Sequence, residues 1–153
     1  MVKTKNKYKH PIEPGSNVRM TYDESPAHNN NLKHAVDFIV PEGTVVKAAL
    51  DGTVIDVKQD SNVGGADPKF DEYGNYIEIK HSNNEYSVYE HIRKNGSLVK
   101  RGDKIKTGQI IGYSGSTGWI ANLGPHLHFD VHKYYGNGPN DYQTLEINWD
   151  NGK

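Results

Sequence analysis

The segment from Pro125 to His132 constrains the fold more than any other part of the sequence, because its polarity alternates with a period of two. The odd-numbered positions are apolar, with Leu127, Phe129 and Val131. The even-numbered positions carry histidines and a carboxylate, with His126, His128, Asp130 and His132. This period predicts a half-buried β-strand whose apolar side faces a core. Side chains at i and i+2 lie roughly 6–7 Å apart on one strand face, so two imidazoles there can reach one metal ion or one water. A solvated histidine-rich strand would have the same pattern, so this segment alone leaves both interpretations open.

The rest of the chain carries strand and turn signals rather than sustained helical periodicity. Residues 76–81 and 85–92 flank Ser82-Asn83-Asn84, where asparagine tolerates positive φ, and this predicts a hairpin. Asp51-Gly52 predicts another hairpin between strands at 44–48 and 53–57. Further short strands are expected at 18–22, 35–40, 98–103, 109–114 and 144–149. The sequence therefore predicts an all-β fold of mostly antiparallel hairpins.

The length of 153 residues suits one domain with a proper core. Residues 1–17 are polar and lysine-rich, so we expect a tail or loosely attached arm there, followed by a single domain at 18–150. The polar segment at 58–74 is expected to be a long loop, and a loop of that length in a small domain is usually functional or mobile.

Composition excludes several classes of function and site. With 18 basic and 19 acidic residues, nothing indicates a nucleic-acid or anionic-membrane partner. The chain has no cysteine, so a disulfide framework and a thiolate metal site are impossible. No apolar run approaches the roughly 20 residues of a membrane span, and the basic N-terminus has no apolar segment behind it to form a signal peptide. A cytoplasmic protein and a mature form without its leader both fit.

Asp37 interrupts the near-continuous apolar run at 35–40. Burying an unpaired carboxylate costs several kcal/mol, so Asp37 is expected to face a cation, hydrogen-bond donors or a metal. The candidates for a shared site are then His28 or His34, Asp37, His91 and the pair His126 and His128. Two histidines and one carboxylate can hold a catalytic zinc ion with one open position for water, and further histidines can take the proton of that water.

Four segments resemble the lysostaphin-type (LytM-like) zinc endopeptidases, which cleave the peptide part of bacterial peptidoglycan. The first holds Val36-Asp37-Phe38 and the turn Pro41-Glu42-Gly43-Thr44, and the second is Tyr89-Glu90-His91-Ile92, similar to a Y-x-H-L motif. The third is the run from Lys100 to Gly118, with its G-D, G-Q, I-G-x-S-G and T-G elements, and the fourth is Gly124-Pro125-His126-Leu127-His128-Phe129. The resemblance covers roughly residues 20–132 in order, and the motifs are specific in combination.

The resemblance implies zinc binding by Asp37 and His128, with His91 and His126 as the two catalytic histidines beside the metal. It also implies the barrel-sandwich-like fold of this family, with a groove lined by loops. The segments 58–74 and 114–124 would wall that groove, and Trp119 and Tyr73 could line it. The substrate would be peptidoglycan peptides, which places a monomeric enzyme in the periplasm or outside the cell.

The sequence departs from the family at the usual first metal ligand, the histidine of H-x-x-x-D, where it has Lys33. His28 and His34 can replace that histidine. His34 has the opposite strand parity to Asp37 and would point away from it, so we favour His28, which follows Ser25-Pro26-Ala27 in an asparagine-rich loop. Tyr22, upstream of His28, could offer a hydroxyl to an oxyanion.

Two other functions fit parts of the sequence. A catalytically inactive domain of the same fold could bind wall components or activate a partner hydrolase, and Lys33 favours it, whereas the retained Asp37, His91, His126 and His128 favour an active enzyme. A lipoyl- or biotinyl-type carrier domain shares the Gly102-Asp103 and Gly108-Gln109 pattern, but the Asp51-Gly52 tip has no lysine and the histidines would be unexplained.

Overall fold

The computed structural model describes residues 3–13, 18–22, 25–28 and 30–150. Its secondary structure in these ranges consists of β-strands and three 3-10 helices, at Asn30–Leu32, Pro68–Tyr73 and Ser82–Asn84, and none of these helices is long enough to cross a membrane. The strands are β1 (Arg19–Thr21), β2 (Val36–Ile39), β3 (Val45–Lys47), β4 (Gly52–Lys58), β5 (Gly64–Gly65), β6 (Tyr76–Lys80), β7 (Tyr86–Glu90), β8 (Ile92–Ser97), β9 (Lys104–Ile105), β10 (Ile110–Ser114), β11 (Gly118–Trp119), β12 (Leu127–Tyr134) and β13 (Tyr142–Thr144).

The largest sheet has the order β1-β2-β12-β7-β6-β4-β9, and β13 pairs with the distal half of β12. A second sheet has the order β3-β10-β8, and β11 pairs with β5 in a third. Every pairing between these named strands is antiparallel except that of β11 with β5. The predicted all-β fold is therefore confirmed.

Strand β12 lies in the middle of the large sheet, between β2 and β7. Its apolar parity, Leu127, Phe129 and Val131, is fully buried in the core, as the alternation predicts. The prediction of a half-buried strand is wrong, however, because the polar parity is also covered, and none of His126, His128, Asp130 and His132 exceeds 5% exposure. These polar side chains hydrogen-bond to one another and to neighbouring groups, which lets the sheet bury both faces of the strand.

Of the two predicted hairpins, the one at 76–92 is confirmed by the antiparallel pairing of β6 with β7. Asn83 and Asn84 adopt the expected positive φ in its turn. The prediction of a hairpin at Asp51-Gly52 is wrong, because the flanking strands do not pair with each other. Strand β3 pairs with β10 in one sheet, and β4 pairs with β6 and β9 in another. The Asp51 carboxylate accepts hydrogen bonds from the backbone and hydroxyl of Thr107 at 2.7 and 2.8 Å, so this turn links the two sheets.

The strand predicted at 98–103 is also wrong. Lys100 to Asp103 forms a turn, closed by a bond from the Asp103 amide to the Lys100 carbonyl and by the Asp103 carboxylate, which accepts from the Lys100 amide at 2.9 Å. Local side-chain hydrogen bonds of this kind compete with strand pairing. The strand begins only at Lys104.

The N-terminal segment is part of the fold rather than a loosely attached arm, so this expectation is wrong for residues 3–13; the other residues of the 1–17 range lie outside the described residues. Tyr8 is fully buried and Ile12 is 4% exposed. The Tyr8 hydroxyl donates to the buried carboxylate of Glu85 at 2.9 Å, and Tyr8 forms a parallel bridge with Trp149. Composition was misleading here because a polar segment needs only a few apolar side chains to dock.

Replacing Tyr8 by alanine is expected to destabilise the protein by about 3–5 kcal/mol, because it leaves an aromatic-sized cavity in the core and removes a donor from Glu85. Urea unfolding measures the change. Lys3→Ala is the matched control, since the Lys3 side chain is 63% exposed in a surface ion pair with Glu146. Equal stability of the two variants would contradict the docking of this segment.

Candidate metal centre and active site

The pairing of the large sheet places two of the candidate side chains, Asp37 and His128, in one row across its polar face. Asp37 on β2 lies opposite His128 on β12, and His128 lies opposite Glu90 on β7. Glu90 in turn lies opposite Tyr76 on β6. Partners in an antiparallel sheet project to the same side, so the row is set by strand register.

Asp37 is completely buried, and neither of its carboxylate oxygens has a hydrogen-bond partner among the described residues. Three imidazole nitrogens surround it. His28 Nε2 lies 3.2 Å from Oδ2, and His126 Nε2 and His128 Nδ1 lie 3.5 and 3.6 Å from Oδ1. The carboxylate therefore faces nitrogens at contact distances without a proton aligned between them.

Hydrogen bonds on the far side of two of these rings decide which nitrogen faces Asp37. His28 Nδ1 donates to the Tyr22 carbonyl oxygen at 2.6 Å, which leaves Nε2 with its lone pair directed at the carboxylate. His128 Nε2 donates to Asp130 Oδ2 at 2.9 Å, so Nδ1 is the ring nitrogen that faces Asp37 and can bind a cation once it carries no proton. One ligand atom each from His28, Asp37 and His128 lies within 4.8 Å of the others, so this group could hold a metal ion.

His126 and His91 form a second pair of imidazoles beside this group, with ring centroids 4.5 Å apart. His126 Nδ1 donates to the Gly124 carbonyl at 2.8 Å, and His91 Nδ1 donates to the Thr117 carbonyl at 2.7 Å. Carbonyl oxygens only accept, so both rings carry their proton on Nδ1 and leave Nε2 free to accept a proton.

Burial sets the charge of this second pair. Desolvation, assisted by the neighbouring His126 and His128, lowers the pKa of His91 to about 3, and desolvation also lowers the pKa of His126. Both rings are therefore neutral near pH 7, which is the state that a general base requires. For His128 burial alone would lower the pKa, but the Glu90, Asp130 and Asp37 carboxylates together raise it to about 10. These three carboxylates thus favour a positive charge at the His128 ring, next to Asp37.

His91 stands at a break between β7 and β8 and has a φ of 71°, an unusual value for a residue other than glycine. The Asn75 carbonyl oxygen accepts from the amides of both His91 and Ile92, and the Thr117 hydroxyl donates to the Ile92 carbonyl at 2.8 Å. Asn75 is itself buried and bonded to Ser61. These contacts hold the left-handed backbone that turns the His91 ring towards His126.

Several of these supporting residues were missed by sequence analysis. Asn75 acts through its backbone carbonyl and lies far from the histidines in the sequence, so no local pattern marks it. Thr117 is marked only as part of the T-G element of the family resemblance, without a role. Asp130 was identified only as part of the polar parity of β12, although its i+2 spacing from His128 is a detectable signal.

The two loops expected to wall a groove are joined to each other, because β5 and β11 pair in parallel. Trp119 Nε1 donates to the Ala66 carbonyl at 3.1 Å, and Tyr73 is 41% exposed at the end of the 3-10 helix. A cavity of about 400 Å³ continues from Glu90 along the same face of the sheet. Its lining is mostly acidic and aromatic, and includes Asp56, Asp71, Glu72, Glu78, Tyr76, Tyr134 and Tyr142.

Residues 31–142 match the sequence model of Peptidase family M23. This chain belongs to peptidase family M23. The match begins after His28, so the loop that carries this histidine lies outside the part of the chain on which the assignment rests.

Curated relatives of this M23 chain include cell-wall enzymes. It is 32% identical over 127 residues to the peptidoglycan DD-endopeptidase ShyA of Vibrio cholerae, and the aligned region covers 80% of this chain and 26% of that protein. It is 39% identical over 102 residues to lysostaphin of Staphylococcus staphylolyticus, covering 66% of this chain and 18% of that protein. An uncharacterized metalloprotease of Haemophilus influenzae is 42% identical over 97 residues, covering 63% of this chain and 18% of that protein. The chain thus spans less than a third of the length of these relatives.

Solved structures agree with the family assignment. The chain superposes on a catalytic-domain mutant of the prophage-encoded M23 protein EnpA from Enterococcus faecalis with a TM-score of 0.60 and 30% identity, covering 88% of this chain and 92% of that one. Lysostaphin from Staphylococcus simulans gives a TM-score of 0.61 at 30% identity, and the superposition covers 91% of this chain and 52% of that one. The lysostaphin/LytM-like fold expected from the sequence is confirmed.

The M23 chain has Lys33 at the position of the usual first ligand, and the structure leaves this lysine exposed. His34 is also outside the metal-ligand group: its amide donates to the Thr144 hydroxyl, and its ring lines a separate cavity of about 490 Å³ with Tyr22 and Trp149. The Tyr22 hydroxyl accepts from Trp149 Nε1 at 3.0 Å, so it is the carbonyl of Tyr22, bonded to His28, that faces the group.

Proposed function

We propose that this M23 chain is a zinc-dependent endopeptidase that hydrolyses peptide bonds in bacterial cell-wall peptidoglycan. The observation that carries the proposal is the buried carboxylate of Asp37, which faces His28 and His128 without a hydrogen bond among the described residues. A buried and unpaired carboxylate is unfavourable by several kcal/mol, so its surroundings call for a cation.

The donor atoms fit zinc. Zinc accepts imidazole nitrogen and carboxylate oxygen in tetrahedral sites, and bonds of about 2.0–2.1 Å put neighbouring ligand atoms about 3.3 Å apart. The separations of 3.2 Å from His28 Nε2 to Asp37 Oδ2 and 3.6 Å from His128 Nδ1 to Oδ1 are close to this value. Three protein ligands would leave one position open, as in catalytic rather than structural zinc sites.

Zinc bound by these residues would acidify a water and polarise the carbonyl of the scissile peptide bond. His126 and His91 supply the proton transfers, because each ring has an unprotonated Nε2, which in His126 lies 3.5 Å from Asp37 Oδ1. One ring accepts the proton that the attacking water loses and delivers a proton to the amine nitrogen as the C–N bond breaks. The other ring, once protonated or through a hydrogen bond, stabilises the negative charge that develops on the carbonyl oxygen.

Peptidoglycan is proposed as the substrate because relatives of this chain are named as peptidoglycan endopeptidases. Such a substrate implies that the protein acts in the periplasm or outside the cell. Its monomeric state stays a prediction. The competing proposal is an inactive domain that binds the wall or activates a partner hydrolase, and it is favoured if the protein binds zinc and peptidoglycan but releases no peptides.

Removing the metal is expected to abolish activity and to lower the melting temperature on the order of 10 °C, because a ligand present at a thousandfold its Kd stabilises by about 4 kcal/mol. The test combines elemental analysis of the purified protein, release of peptide fragments from peptidoglycan, and thermal unfolding before and after chelation. One zinc per chain and recovery of activity on adding zinc are expected. Purified protein that hydrolyses peptidoglycan without stoichiometric metal would contradict the proposal.

A further inference from the structure

A buried chain of hydrogen bonds starts at His128 and runs away from the metal-ligand group along the sheet. His128 Nε2 donates to Asp130 Oδ2 at 2.9 Å, and His132 Nδ1 donates to Asp130 Oδ1 at 2.8 Å. His132 Nε2 donates to Glu78 Oε2 at 2.8 Å, and the Tyr134 hydroxyl donates to the same oxygen at 2.6 Å. We call these residues, Asp130, His132, Glu78 and Tyr134, the β12 relay.

Asp130, His132 and Glu78 are buried, whereas Tyr134 is 38% exposed and all four relay residues line the cavity of about 400 Å³ described above. Asp130 is 1% exposed, His132 4% and Glu78 8%. The Tyr86 ring stacks on His132 with centroids 5.8 Å apart and an interplanar angle of 11°, and the Tyr142 ring is tilted against His132 with centroids 5.1 Å apart. Burying two carboxylates is costly unless each is satisfied, and apolar side chains of similar size are often at least as stabilising in such positions. A purely structural explanation therefore leaves the polar composition of the relay unexplained.

The relay can determine the tautomer and the orientation of the His128 ring. His128 can offer Nδ1 to a metal only if its proton resides on Nε2, and the acceptor for that proton is Asp130. Glu90, also near Nε2, is 3.5 Å away and outside good hydrogen-bond range. Asp130 can hold the His128 ring only if its own carboxylate is held in place. His132 Nδ1 donates to the second oxygen of this carboxylate, and Glu78 in turn holds His132 by accepting from its Nε2.

We propose that His132 and Glu78 are positioning residues for the metal ligand His128, acting through Asp130 to fix the tautomer and ring orientation that direct Nδ1 at Asp37. The inference rests on the proposed function, because it assumes that His128 binds zinc. It extends the support of this ligand over three side chains, from Asp130 and His132 on β12 to Glu78 on β6, with β7 lying between the two strands. Partners of metal-bound histidines commonly affect metal affinity by 10–100-fold.

The test measures zinc affinity directly, by competition with a chelating dye at fixed pH, together with the stability of the zinc-free protein. Glu78→Leu and His132→Leu each remove a hydrogen bond of the relay and are expected to weaken zinc binding by about 10–100-fold. His132→Asn, whose amide nitrogen takes the place of Nδ1 and can still donate to Asp130, is expected to recover part of the loss. Tyr142→Phe is the matched control: it keeps the ring against His132 and removes only a hydroxyl. The cobalt-substituted protein gives a second readout, since its absorption spectrum reports ligand geometry and should change in the relay variants but not in the control.

A merely structural relay would lower the stability of the zinc-free protein and leave zinc affinity and the cobalt spectrum as in the wild type, and this result would overturn the inference. If His132→Leu fails to fold, Glu78→Leu decides the question alone. Failure of the proposed function is distinguishable, because there the wild-type protein itself would bind no zinc, and both proposals would fall together. Normal zinc binding by wild type and by Glu78→Leu would remove only the relay.

Discussion

Replacing His28 by alanine is expected to reduce zinc affinity by more than about 100-fold, beyond the range seen for residues that only support a ligand, and to remove peptidase activity with it. The reason is geometric. His28 Nε2 lies 3.2 Å from Asp37 Oδ2, and the bond from Nδ1 to the Tyr22 carbonyl fixes the lone pair in that direction. Without His28, only Asp37 and His128 remain of the group that could hold the ion. Zinc content after dialysis and release of peptides from peptidoglycan measure the two effects.

His34→Ala and Lys33→Ala are the controls for this prediction. His34 lies three residues before Asp37, and Lys33 occupies the position of the family's usual histidine, yet neither belongs to the group around Asp37. Both variants should keep stoichiometric zinc. If His34→Ala lost the metal while His28→Ala retained it, the assignment of the third ligand would be reversed.

The contrast between His28 and the other candidates shows how far sequence could specify this site. His126, His128 and Asp37 lie on or beside strands, and strand parity together with an apolar environment marks them as side chains that must share a buried polar face. His28 lies in the loop between β1 and β2, where no period relates sequence separation to direction. The sequence favours it over His34 only by excluding the wrong strand parity, and only the fold shows how the loop reaches Asp37.

The same distinction applies to the fold. The hairpin at 76–92 could be predicted because both strands and the turn are contiguous, and its asparagines match the backbone that the turn requires. The turn at Asp51-Gly52 carries an equally strong local signal, but its flanking strands pair with distant partners, and Thr107 determines how the turn is held. Long-range pairing of this kind leaves no local trace. The docking of Tyr8 against Glu85 was missed for the same reason.

His91→Asn is expected to leave zinc bound and to lower kcat by about 10²–10⁴-fold, the usual contribution of a general acid or base. Asparagine is a better replacement than alanine, because His91 has a φ of 71° and asparagine tolerates this left-handed conformation. Loss of activity in His91→Asn can then be attributed to the missing imidazole rather than to a strained backbone. Zinc content, kcat and KM for a soluble peptidoglycan fragment are the measurements.

His126→Asn and the double variant complete this experiment. If His91 and His126 act on the same proton transfer, the double variant should be little worse than the more damaging single variant, because residues that act as a unit are strongly non-additive. If one ring moves the proton and the other stabilises the oxyanion, the two losses should multiply. Loss of zinc from His91→Asn would contradict both schemes, since it would make His91 a metal ligand, although its Nδ1 is bonded to the Thr117 carbonyl and its ring lies 6.1 Å from that of His128.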